Sequence, residues 1–156
     1  MSRNVFLYLF FAFCVSLAGT QAFGQAKKAQ TVPLVGGFVE IPADYKSERD
    51  IGEDFYVDLI FSGESRSKAT AILGVYVGDF PNFKPPKNGQ ARKMRLGKRT
   101  IKWYFQTAQK EGKTVYAYNA LINLGKNEGF FHLMVSGTDE KQVQNLLAIF
   151  RTFRRS

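Results

Sequence analysis

Cysteine is all but missing from this chain. Cys14 is the only one, and it sits inside an apolar N-terminal run. That run, Val5 to Gly19, holds 15 residues without a charge. Arg3 precedes it, and Ala22-Phe23-Gly24, or Thr20-Gln21-Ala22, supplies small residues at the spacing that a signal peptidase reads. Residues 1–24 are therefore expected to be a cleaved secretory leader, because the run falls short of the ~20 residues of a membrane span. "FAF" before Cys14 is not the small-residue box of a lipid-anchored protein, which argues against that anchor. An exported chain without Cys14 has no disulfide, no thiolate nucleophile and no cysteine-ligated metal. Its expected location is a bacterial periplasm.

Histidine is as scarce as cysteine, with His132 alone in "FFHLMV". A triad needs His beside an orienting acid and a nucleophile, and Ser136, further on along that face, is too far in a regular strand for a direct hydrogen bond. G-x-S-x-G is absent. A zinc site wants three or four His, Cys or carboxylate ligands, more than one His readily supplies. Asp50, Glu53, Asp54 and Asp58 do not follow the alternating pattern of a calcium loop and read as a solvated turn entering a strand. "LVGGF" lacks the helix that phosphate cradling requires, so it reads as a hinge. No cofactor and no metal is expected, and the chain is read as a non-enzyme.

Acid is missing from one long stretch. "FPNFKPPKNGQARKMRLGKRTIKWYF", residues 80–105, has eight Lys or Arg and no Asp or Glu. The imbalance extends to the halves of the chain. Residues 25–79 carry six basic and nine acidic side chains, residues 80–156 fifteen and four. Such asymmetry points to an anionic partner for the second half, an acidic protein, a glycan or a membrane surface. Nucleic acid is disfavoured, since "KWYF" does not interleave aromatics as an RNA-reading strand does.

What is present is alternation. "GFVEIPADY", "DFYVDLIFSG", "ATAILGVYVGDF", "TIKWYFQTAQ", "TVYAYNALIN" and "FFHLMVSG" read as strands, several with apolar residues on both faces. The Leu/Val/Phe side, with Leu59 and Phe61, is taken as the main core, and Ile60 and Tyr118 as facing away from it. Last comes "TDEKQVQNLLAIFRTFRR", where Val143, Leu146, Leu147 and Phe150 recur at helical spacing behind a capping Thr138 or Asp139. Arg151, Arg154 and Arg155 would complement the helix dipole. The fold class is α+β: an antiparallel sheet meander with a C-terminal helix on one face. The doubly apolar strands call for a second covering element, from 43–53 or 88–97, giving an α/β/α sandwich. Residues 25–33 read as a flexible segment and 34–156 as one domain.

"GFVEIPADY" resembles the opening strand of the PsbP-like family, in which a short strand ends in Pro and an aromatic follows. "FFHLMVSGTDEKQVQNLLAIFRTFR" is similar to that family's last strand and C-terminal helix, which ends in Phe near the terminus. A cystatin-like fold places its long helix before the strands, unlike this chain. The resemblance implies an accessory or binding protein. It carries no catalytic or metal residue onto any position here.

The expected contact surface is Phe80 and Phe83 in the proline-rich loop together with Arg92, Lys93, Arg95, Lys98 and Arg99. "QARKMRLGKR" fits either a weak strand or a short helix. Whether its cations share a face decides whether they form a patch. Two other functions are weighed: a small-molecule or lipid carrier with an apolar pocket between helix and sheet, and a hydrolase centred on His132.

Overall fold

The computed structural model describes residues 29–87, 91–125 and 129–155. The expected leader, 1–24, and the Asn88-Gly89 turn lie outside them. The strands are β1 (Ala29–Leu34), β2 (Gly37–Pro42), β3 (Tyr45–Ile51), β4 (Phe55–Ser62), β5 (Ala71–Gly78), β6 (Ala91–Leu96), β7 (Arg99–Lys110), β8 (Lys113–Gly125), β9 (Gly129–Gly137) and β10 (Arg154–Arg155). One α-helix, α1 (Glu140–Ile149), follows β9, and short 3-10 turns occupy Arg66–Lys68 and Phe150–Thr152.

Seven strands form one sheet in the order β3-β4-β5-β9-β8-β7-β6, every pairing antiparallel. The order has a consequence for the chain path. After β5 the polypeptide must pass β9, β8 and β7 to begin the far edge strand β6. A connection of that kind crosses a face of the sheet. A second sheet, β1-β2-β10, joins the N-terminal hairpin to the C-terminus.

Cross-strand register fixes which side chains share a face, because directly opposite residues point the same way. Ile60, Leu73, Val135, Tyr118 and Phe105 are successive partners from β4 to β7. This inner face meets α1 through Val143, Leu146 and Leu147, each almost fully buried. The hairpin of β1 and β2 adds Val32, Leu34, Val39 and Ile41 to the same core. Burying a Leu or Val side chain is worth about 1.5–3 kcal/mol, so this layer holds the fold. The Asp139 carboxylate accepts from the Gln142 backbone N–H at 3.1 Å and caps α1.

Several expectations change here. The core of β4 is on the opposite parity: Ile60 faces α1, while Leu59 and Phe61 lie on the outer face. Tyr118 likewise points into the core. Residues 29–33, expected to be flexible, are most of β1. "LVGG" is the β1–β2 turn rather than a hinge, with Gly36 at φ +81. Segments 45–51 and 91–96 are edge strands rather than a covering layer. α1 ends at Ile149, so Arg154 and Arg155 pair as β10 with Phe38 and Gly37 instead of extending the helix.

Asp58 is not in a solvated turn. It is buried on β4, where its carboxylate accepts from the Val35 N–H at 2.7 Å and from the Arg49 guanidinium. That hydrogen bond raises the Arg49 pKa above its ordinary value. The pair ties the β1–β2 turn to the sheet.

Candidate anion-binding face

The basic segment is a strand, because it pairs with β7. Leu96 faces Arg99 across a two-residue turn of Gly97 and Lys98. Gly97 adopts φ +53 and its N–H donates to the Phe150 carbonyl at 3.0 Å. A Cβ there would collide with the Phe153 carbonyl oxygen. Glycine therefore lets the turn seat against the C-terminal segment.

Register then divides the cations. Arg92 is opposite Trp103 and Arg99 opposite Leu96, so both sit on the parity of the core. Lys93 is opposite Lys102, and Arg95 opposite Thr100, on the outer face. Lys98 is at the turn. Of the five expected cations only Lys93 and Arg95 lie on the outer face, and Lys102, not among them, completes their group. Strand alternation within 99–105 is the signal that places Lys102 there.

All three outer cations are exposed. The ion pairs seen among the described residues join Arg49 to Asp58, Arg66 to Asp50, Lys68 to Glu64 and Arg154 to Glu40. None draws on a cation between Lys84 and Lys102. Like charges directly opposite across a strand pair destabilise it. Lys93 and Lys102 are held in that arrangement by the backbone ladder. An oxyanion between them would turn repulsion into attraction.

The loop after β5 shows where the crossing runs. Phe80 is 77% exposed, whereas Phe83 is 8% exposed. The Phe80 N–H donates to the Tyr76 hydroxyl at 3.0 Å, and Tyr76 stacks on Phe55. The Phe83 ring stacks on His132 of β9 with centroids 5.4 Å apart and lies 5.8 Å from Tyr104 of β7. The loop thus lies over the outer face where it is pinned at Phe83, and Lys84 and Lys87 follow that anchor in the chain, both exposed. One of the two expected aromatic contacts is exposed and the other is an anchor.

His132 is buried beneath that anchor. Its Nε2 is 3.1 Å from the Asn119 Oδ1, and burial lowers its pKa. Its ring contacts are therefore a carboxamide and a phenyl ring, an arrangement suited to holding the loop. Among the described residues no three His, Cys, Asp or Glu side chains group as metal ligands.

A groove of about 640 Å³ opens elsewhere, between α1 and β2–β4, lined by Glu40, Asp44, Tyr45, Gln142 and Asn145 among others. Its lining is mixed, with Pro42, Ala148 and Ile149 beside those polar side chains, and it is open to solvent rather than enclosed between helix and sheet. Between helix and sheet the space is filled by Val39, Leu73, Val135 and Val143.

No family model matches the chain, and no curated protein matches it. A crystal structure of a protein from Bacteroides thetaiotaomicron VPI-5482 is similar in fold, with TM-score 0.54 and 13% identity over 85% of this chain and 49% of that one. The chain thus spans about half the length of that protein. At this identity the likeness concerns the fold alone.

Proposed function

We propose that this is an exported, non-enzymatic accessory protein that binds an anionic partner surface through the outer face of β6 and β7. The observation that carries the reading is the directly opposed Lys93 and Lys102, flanked by Arg95 and without an acidic partner among the described residues. A sheet edge with no binding role gains by placing opposite charges there. The resemblance to PsbP-like proteins supports the same class of function. In this reading the loop at 79–87 takes the place of the second covering layer of an α/β/α sandwich, and it carries the exposed Lys84 and Lys87.

Two variants of equal charge test the reading. Lys93→Glu with Arg95→Glu reverses the outer face. Arg92→Glu with Arg99→Glu reverses the other parity. Retention on immobilised heparin, a soluble polyanion, should collapse for the first pair and fall far less for the second. The salt dependence of binding should weaken by roughly one unit of log–log slope for each cation that no longer meets a sulfate. Equal losses from the two pairs, with both circular dichroism spectra native, would mean that only net charge matters.

A further inference from the structure

Four large apolar side chains stand exposed among the described residues: Ile51, Tyr56, Phe80 and Leu124. Sheet topology brings them together. Ile51 ends β3, Tyr56 lies near the start of β4, Phe80 follows the end of β5, and Leu124 is near the end of β8. In an antiparallel sheet these are all the same end. The β6–β7 turn, with Lys98, belongs to that end as well, and Lys93, Arg95 and Lys102 rise from it along the outer face. The opposite end, with the turns at 63–70, 111–112 and 138–139, has none of the four exposed apolar residues. There Glu64, Arg66, Lys68 and Glu111 mix the two signs.

Phe80 is presented by its surroundings. Its backbone N–H is held by the Tyr76 hydroxyl, Pro81 follows it, and Phe83 anchors the loop a little further on. An exposed aromatic on a pinned loop has already lost the freedom that docking would otherwise remove.

We propose that this end of the sheet docks on the surface of an anionic lipid bilayer. Phe80 and Leu124 enter the boundary between headgroups and acyl chains, and Lys93, Arg95, Lys98 and Lys102 take lipid phosphates. The proposal rests on the anion-binding reading above and adds the partner. An apolar tip beside a cationic face is the combination that an anionic bilayer rewards, because area burial and charge attraction add. A soluble polyanion would use the cations and leave Phe80 in water. Glu53 and Asp54, in the β3–β4 turn, repel headgroup phosphates. They tilt the docked molecule towards the β6–β7 corner and leave Ile51 and Tyr56 at the rim. Asp79, beside Phe80, sets the depth at which the loop stops.

The test uses the protein purified in the form that an exporting host releases. Its co-sedimentation with phosphatidylglycerol–phosphatidylcholine vesicles is compared with that on pure phosphatidylcholine, with heparin retention measured in parallel. Binding to the anionic vesicles should exceed binding to the neutral ones by at least tenfold at low salt. Phe80→Ser should weaken vesicle binding about tenfold and leave heparin retention unchanged. Lys93→Glu should weaken both, the vesicles by at least fivefold. Heparin retention without vesicle binding, or vesicle binding indifferent to Phe80→Ser, would overturn the membrane assignment and leave the anion-binding reading standing. Loss of neither ligand with Lys93→Glu would overturn both. A concentration-dependent dimer abolished by Phe80→Ser would assign this end to a second copy of the chain instead.

Discussion

Arg49 faces Asp58 across β3 and β4, and Lys93 faces Lys102 across β6 and β7. The two pairs occupy the same geometric relation near opposite edges of one sheet. At the β3 side three ion pairs form, Arg49 with Asp58, Asp50 with Arg66 and Glu64 with Lys68. At the β6 side no ion pair to an acid is seen among the described residues. A charge matched by its neighbour serves the fold, since desolvation and repulsion are both answered locally. An unmatched charge that the backbone forces against its like has no such use. On the proposed reading, the difference separates a structural edge from a binding edge in a molecule whose sequence alone makes both look merely charged.

The largest effect should come from breaking the compensated side. Asp58→Ala removes the acceptor of the Val35 N–H and strands Arg49. It should cost roughly 2–4 kcal/mol in chemical denaturation, with heparin retention by the folded protein unchanged. Loss of heparin retention in the native-state fraction would show that the two edges are coupled.

Gly97→Ala forces a positive φ and a collision with the Phe153 carbonyl, and should destabilise by at least about 1 kcal/mol. Because the turn seats the basic hairpin, the variant should also loosen the outer face, read as faster amide exchange in β6 and at Arg99–Tyr104.

The pH dependence sharpens the role of the anchor. The pKa of His132 is lowered by burial, so the unfolded chain binds the proton more readily. Stability from this group is complete above about pH 6.5 and declines as pH falls towards the lowered folded value. A thermal melt at acidic pH, below the ordinary histidine value, should therefore fall below one at mildly alkaline pH, and His132→Gln should reduce that gap. An unchanged gap would remove His132 from the acid response.

The smallest effect has an unusual sign. Lys102→Glu turns a repelling cross-strand pair into an attracting one. It should stabilise the protein by about 0.3–0.5 kcal/mol at low salt, an increment that vanishes near 1 M salt, while weakening heparin retention. A destabilised variant would mean that Lys102 contributes to the fold and that the contrast between the edges is false.

Much of this was legible locally. The period of Val143, Leu146, Leu147 and Phe150 gave the helix and its buried stripe, and narrowed its cap to Thr138 or Asp139, because both depend on neighbours within one or two turns. Strand alternation placed Phe55 to Phe61 and Ala71 to Gly78. What it could not reveal was which parity faced the helix, since β4 is apolar on both sides, and Ile60 rather than Leu59 met α1. Nor could a stretch read in isolation show that 45–51 and 91–96 are edges. An edge is defined by strands that are absent beside it. The two phenylalanines of the loop differ for the same reason: Phe83 is buried only because the chain must cross β9 on its way to β6, and His132 lies on that route.

Local sequence set the character of each element: an acid-free basic run, a sheet of alternating strands, a capped terminal helix and a chain almost without thiol or imidazole. These are properties of residues within reach of one another along the chain. Strand pairing in three dimensions put Lys93, Arg95 and Lys102 on the outer face and Arg92 and Arg99 on the inner one, and left Phe80 standing out while Phe83 turns in. Those outcomes depend on register between strands and on a crossover longer than any local period. Pairing β6 with β7 one residue out of register would reverse every one of those facings on β6.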